Sequence, residues 1–339
     1  MNPHCSKSVP ENVDNQRIYK LRKELQKKVT KKTIAGRILQ IIIVLFGIGF
    51  LTFCLTYLAP GDPVKAMYAA NGSVPSEEVI KAMREKMGLN NPFPVQYLNW
   101  LFSCLHGDLG ISYSLNKPVV SVLLQRLWPT LKLTLFSMLL MLAVSVPFGV
   151  LSAVKHNKAA DYIIRAFSFV GGSLPSFWLG VMLIYIVALK FKLLPVISSD
   201  TGFNKMILPA VTLAFPMTAK YTRQIRAAVL EELHQDYVVG ARTRGLKEST
   251  VLFGHVLPNV LLPLVTLLGL SFGSLLGGTA VVEVIFSYPG LGNLAVSAVA
   301  ARDYPLIQGY VLWVALIYMV INLIVDVTYE KLDPRMKVR

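Results

Sequence analysis

From Ile38 to Gly61 the sequence carries no charged residue, and that run constrains the fold more than any other feature. A bilayer core about 30 Å thick takes roughly 20 apolar residues to cross as a helix. Stretches of this character lie at Arg37 to Leu58, Leu131 to Val154, Tyr162 to Leu189, Met206 to Thr222, Val260 to Phe286 and Leu306 to Val327. The fourth is short and is interrupted by Pro209 and Pro216. Composition agrees, with 54% hydrophobic and 16% charged residues, against about 45–50% and 25% in soluble domains. The expected fold is therefore all-α and membrane-embedded, with about six spans.

The formal net charge is +15. The basic residues gather near the two ends and in short loops, a distribution that sets membrane orientation and argues against a nucleic-acid partner. Lys155 and Lys158 follow the second span, Arg223, Arg226, Arg242, Arg244 and Lys247 the fourth, and Lys331, Arg335, Lys337 and Arg339 the sixth. Both ends are thus expected inside. The resulting division is a basic cytoplasmic arm over 1–36, a first span over 37–59, an extracytoplasmic helical segment over 60–129, a core of five spans over 130–329, and a basic tail over 330–339. Within the external segment, Ser76 with Glu77 and Glu78 starts a helix that Gly88 stops, and Tyr97 to Leu105 reads as a second helix against the membrane or the bundle. The first apolar run is too long for a cleavable signal peptide. Cys5, Cys54 and Cys104 have no metal-ligand spacing, and the five histidines form no ligand set, so no metal site is expected.

The inward connector 223–259 is too long for a simple turn. Its pattern predicts a helix over Val229 to Arg244, a left-handed stop at Gly245 and a second short helix over Leu246 to Leu257. Such a hairpin can seat in a soluble partner and pass rigid-body motion to the flanking spans. Elsewhere, Glu283 near the end of the fifth span must be paired or wetted. It either lines a gate with the turn from Phe286 to Gly292, or hydrogen-bonds that loop as a helix-end acid. Pro175, preceded by Gly171, Gly172 and Ser173, weakens the third span, to line a cavity or to permit close packing. Asn322 and Asp326 share one face of the sixth span and suit helix packing.

The connector resembles that of ABC importer permeases, which carry EAA, three residues, Gly, nine residues and Ile-x-Leu-Pro. Val239, Gly240 and Ala241 stand at the EAA positions, Gly245 at the glycine, His255 at the isoleucine, and Leu257 with Pro258 at Leu-Pro; Val239, Gly240 and His255 depart from the pattern. QDYVVGARTRGL and HVLPNVLLPLVT are similar to the dipeptide, oligopeptide and nickel branch of that family. So are LAPGDP from Leu58, HGDLGIS from His106, SLPSFWLG from Ser173, VVEVIFSYPGLG from Val281, ARDYPLIQG from Ala301 and LDPR from Leu332.

The resemblance implies a type I permease fold. It implies an ATPase-docking surface at Asp236, Tyr237, Ala241, Arg242, Gly245, Leu246, His255, Leu257 and Pro258, and a substrate route that includes Pro175, Phe177, Glu283, Phe286, Pro289 and Gly290. The implied partners are a second, homologous permease subunit, two cytoplasmic ATP-binding subunits, an external substrate-binding protein and membrane lipid. No GxxxxGK[ST] sequence occurs, so ATP and magnesium are expected on the partner subunits and no cofactor on this chain. The cargo stays open between short peptides and nickel. The alternative is an ion- or proton-coupled transporter without an ATPase, which calls for paired mid-membrane carboxylates or matching broken helices.

Overall fold

The computed structural model describes residues 36–70, 72–194 and 202–332. Most of the basic arm and of the tail lies outside the described residues. Among the described residues every regular element is helical, apart from an isolated bridge between Ile111 and Pro118.

Helix α1 is Gly36–Leu58. Helices α2 (Pro63–Ala70), α3 (Glu77–Lys86) and α4 (Phe93–Leu105) follow it. Ser76 caps α3 by accepting the Val79 N–H, acids occupy the first turn and bases the last, matching the helix dipole. Helix α4 lies along α1. Phe46, Phe50, Phe53 and Tyr57 meet Phe93, Tyr97 and Trp100 in edge-on and tilted ring pairs with centroids 5.0–6.3 Å apart. Such geometry matches the positive ring edge to the negative face.

Helix α5, Val119–Val154, has 36 residues and contains Pro129 and Pro147. It starts 12 residues before the expected second span, because Pro118 sets the chain direction and Val119, Val122 and Leu123 are already buried. Helices α6 (Ala159–Ser173) and α7 (Ser176–Leu183, continued by a π-helical stretch Ile184–Lys190) make up the expected third span. The expected kink is a break of 99°. Leu174 is extended, at φ −80° and ψ 127°, because a residue before proline is driven out of the helical region.

Helix α8 (Phe203–Leu233) packs along α5 and α6; α9 (Asp236–Thr243) and α10 (Glu248–Val251) follow, then α11 (Leu257–Ile285), α12 (Leu291–Ala300) and α13 (Tyr304–Leu332). By length and apolar character, α1, α5 and the Tyr304–Val325 part of α13 each suffice to cross a membrane, and the α6–α7 pair does so only when taken together. The fourth expected span falls within α8, of 31 residues, and the fifth within α11, of 29, except for Phe286, which caps that helix.

Two expectations for the connector are corrected. The helix predicted over Val229 to Arg244 breaks at His234 and Gln235, where Gln235 is extended at ψ 149°. The break turns α9 back so that Val238 and Ala241 join Tyr221, Ile225, Val229, Val251 and Val256 in one buried cluster; a straight helix would carry them away from the bundle. The predicted second helix is only α10, followed by a π-helical stretch at Leu252–Val256 that runs straight into α11. The Leu257 N–H reaches back five residues to the Leu252 carbonyl, and Pro258, which has no N–H to donate, follows at once.

Two more clusters lie along α5. One joins Leu133 to Leu208, Leu213, Val282, Phe286 and Tyr288, and the other joins Val119 and Leu123 to Leu291, Leu294 and Leu306.

Candidate functional site

The connector is a knob on a buried stalk. Val238, Ala241, Val251 and Val256 hold α9 and α10 to the bundle, whereas Asp236, Tyr237, Arg242, Gly245, Leu246, His255 and Pro258 are exposed and Leu257 is half-buried. Ala241, expected on the docking face, is instead an anchor, 7% exposed. It stands three residues after Val238, one turn along the face that packs inward. The apolar side chains that do project are Val239, Leu246 and Phe253. Val239 and Phe253 were missed, because Val238–Val239 and Val251 to Phe253 are runs of adjacent apolar residues that do not mark which member points outward.

The loop between α9 and α10 is fixed locally. Arg242 donates from Nε and a terminal nitrogen to both Glu248 oxygens, at 2.8 and 3.1 Å. Hydrogen bonding to Arg242 holds the Glu248 carboxyl below its usual value, and the same contact raises that of Arg242. Gly245 sits at φ +79° and passes the chain from one helix to the next, a conformation that costs other residues about 1–2 kcal/mol. Tyr237 donates its hydroxyl to Glu232 at 2.5 Å and accepts from Asn259 at 3.0 Å, tying α9 to the ends of both long helices.

Behind the knob, α8 is clamped to the α5–α6 turn. Asp161, fully buried, accepts Arg226 Nε at 2.7 Å and a terminal guanidinium nitrogen at 2.8 Å, the Ser152 hydroxyl at 2.5 Å and the Asn157 N–H at 3.0 Å. Sequence reasoning counted Arg226 only as an orientation charge. A lone acid entering an apolar helix, at Asp161, was the signal that could have found the pair.

At the far end of α11, Glu283 is fully buried and accepts the Thr130 hydroxyl at 2.8 Å and the Asn293 N–H at 2.9 Å. Thr130 also accepts the Leu291 N–H at 2.7 Å. The carboxylate thus closes the N-terminal turn of α12, where unpaired N–H groups collect. A side chain at Gly290 would overlap that carboxylate, so the close approach requires glycine. Phe286 and Pro289 belong to the same turn, Phe286 buried and Pro289 half-buried. Pro175 and Phe177 are exposed. Glu283 thus hydrogen-bonds the loop that follows its helix, an arrangement that both readings left open for it allow.

Asp303, missed in the sequence, plays a matching part next door. Fully buried, it accepts the Ser112 hydroxyl at 2.6 Å, the Ser114 N–H and hydroxyl at 2.9 and 2.8 Å, and the Leu306 N–H at 3.3 Å, pinning the loop before α5 to the start of α13.

Residues 145–338 match the family model for the binding-protein-dependent transport system inner membrane component, and residues 31–134 match its N-terminal companion. The chain is 41% identical over 314 residues to the oligopeptide transport system permease protein AppB of Bacillus subtilis, covering 90% of this chain and 98% of that one. It is 38% identical over 311 residues to the probable peptide ABC transporter permease protein y4tP of Sinorhizobium fredii, with the same coverage. Identity to the nickel import system permease protein NikB of Staphylococcus aureus is 37% over 308 residues, 91% of this chain and 92% of that one. Among solved structures, the inward-facing MetNI methionine ABC transporter aligns with a TM-score of 0.52 at 17% identity, covering 63% of this chain and 97% of that one, a likeness of fold. The matched models span both halves of the described bundle and the relatives align from end to end, so the chain belongs to the inner-membrane permease components of binding-protein-dependent ABC transporters.

Proposed function

We propose that this chain is one of two permease subunits of an ATP-driven importer for short peptides or nickel, the nickel carried as a chelate. In this reading it crosses the membrane six times with both ends in the cytoplasm, and residues 60–129 form a small helical segment on the outer face. A second permease completes the pathway, two cytoplasmic ATPase subunits bind ATP and magnesium, and an external binding protein delivers cargo. The carrying observation is the connector: α9, α10, their loop and the π-helical stretch after them expose Asp236, Tyr237, Arg242, Leu246 and His255, while Val238, Ala241, Val251 and Val256 weld them to α8 and α11. A force on the knob therefore reaches two long helices together, and the bundle alternates between outward and inward access. The names of the relatives support both cargo classes.

Co-purification tests the docking. The chain should carry an ATP-hydrolysing subunit with it, and Gly245→Val should release that subunit while the bundle stays folded. Uptake by the isolated chain down an ion gradient would overturn the reading. Titrating the external binding protein with peptides and with nickel chelates decides the cargo.

A further inference from the structure

Between the first half of α6 and the second half of α8 lies a recess of about 460 Å³, lined by Tyr162, Arg165, Ala166, Phe169, Arg223 and Arg226. Its lining holds three arginines and no acid. Arg226 is committed to the buried Asp161, which leaves two positive charges, on Arg165 and Arg223. Arg165 lies 5.6 Å from the Tyr162 ring centroid, and Arg223 donates to the Ser168 carbonyl at 2.8 Å. Among the described residues neither has a carboxylate partner.

Around these charges the surface is apolar. Tyr162 and Phe169 in its lining are 57% and 73% exposed. An arginine near the end of a membrane helix reaches the interface, where its charge can meet water or an anion. Basic pockets between membrane helices hold anionic headgroups, and an aromatic ring flanking the charge suits the headgroup boundary. A second copy of this chain would bring the same arginines and repel. We propose that this recess binds the headgroup of an anionic phospholipid: phosphate oxygens take Arg165 and Arg223, and the acyl chains lie along Phe169. The proposal needs only that the chain spans a membrane, so it stands or falls apart from the transport reading.

The test uses the full-length chain in nanodiscs of phosphatidylcholine with or without phosphatidylglycerol, followed by native mass spectrometry. Wild type should retain phosphatidylglycerol in preference to phosphatidylcholine. Arg165→Gln with Arg223→Gln should weaken that retention by about 25-fold, at roughly a factor of five per charge, whereas Lys86→Gln, at an exposed distant site, should not. Arg165→Lys with Arg223→Lys should keep most of the binding, which separates charge from misfolding. Equal retention of both lipids, undiminished phosphatidylglycerol on the double glutamine variant, displacement by inorganic phosphate, or a second protein copy in place of lipid would each overturn the proposal.

Discussion

The two ends of α8 and α11 satisfy buried acids in different ways. At the connector end, Asp161 is neutralised by a two-point ion pair with Arg226 on a neighbouring helix. Around α12, Glu283 and Asp303 are held by hydroxyls and backbone N–H groups alone. Their backbone donors include the Asn293 and Leu306 N–H groups at the starts of α12 and α13, so those acids help set where chain segments begin and turn. The ion pair of the first kind joins two helices side by side, and it does so beside the knob. The connector end is joined into one packed piece, the α12 end into a fixed set of turns.

The contrast is sharpest when one acid is removed from each end. Asp161→Ala should destabilise the chain by about 3–5 kcal/mol, because Arg226 then keeps a part-buried charge without a partner; the thermal midpoint in detergent reads this. Reversing the pair, with Asp161→Arg and Arg226→Asp together, should recover part of the loss. No recovery would mean that the Ser152 and Asn157 bonds, not the ion pair, hold the turn. Glu283→Gln should cost about 1–3 kcal/mol, since it keeps the shape but loses charge-assisted acceptance from Thr130 and Asn293. A loss as large as that of Asp161→Ala would break the distinction between the two ends.

Gly245→Val should cost about 1–2 kcal/mol through its left-handed backbone alone, confined to the α9–α10 loop. Hydrogen exchange should show faster opening there and no change around α12. The smallest effect is in pH. The Glu248 carboxyl is held below its usual value near 4.5 by Arg242, so its bridge contributes fully above that value and is lost as pH falls through the lowered one. Exchange at α9 and α10 should quicken at acidic pH in the wild type, and Arg242→Gln should remove that dependence.

Much of the molecule was legible along the chain. The long apolar runs located α1, α5 and α13, because a membrane helix must be apolar around most of its circumference and cannot hide that composition. Ser76 marked the start of α3, and Gly245 marked a left-handed stop, since few other residues adopt that conformation cheaply. The connector was found by its length and motif spacing. Its exposed face was only partly right, as Ala241 turned inward and Val239 and Phe253 outward. Helical phase is lost wherever the chain breaks, and the break at His234 and Gln235 carries no proline or glycine to announce it.

What the sequence determined by itself is the class of fold and the place of each long helix, both consequences of local composition and backbone restriction. What only the tertiary structure decided is which acids meet which donors. Asp161 finds Arg226 across 65 positions, Glu283 finds Thr130 across 153, and Asp303 finds Ser112 across 191. Those meetings depend on how the helices cross and on where the α6–α7 break sends the chain. No pattern of neighbouring residues records such distances, because a buried polar group is satisfied by whatever donor the packing brings to it.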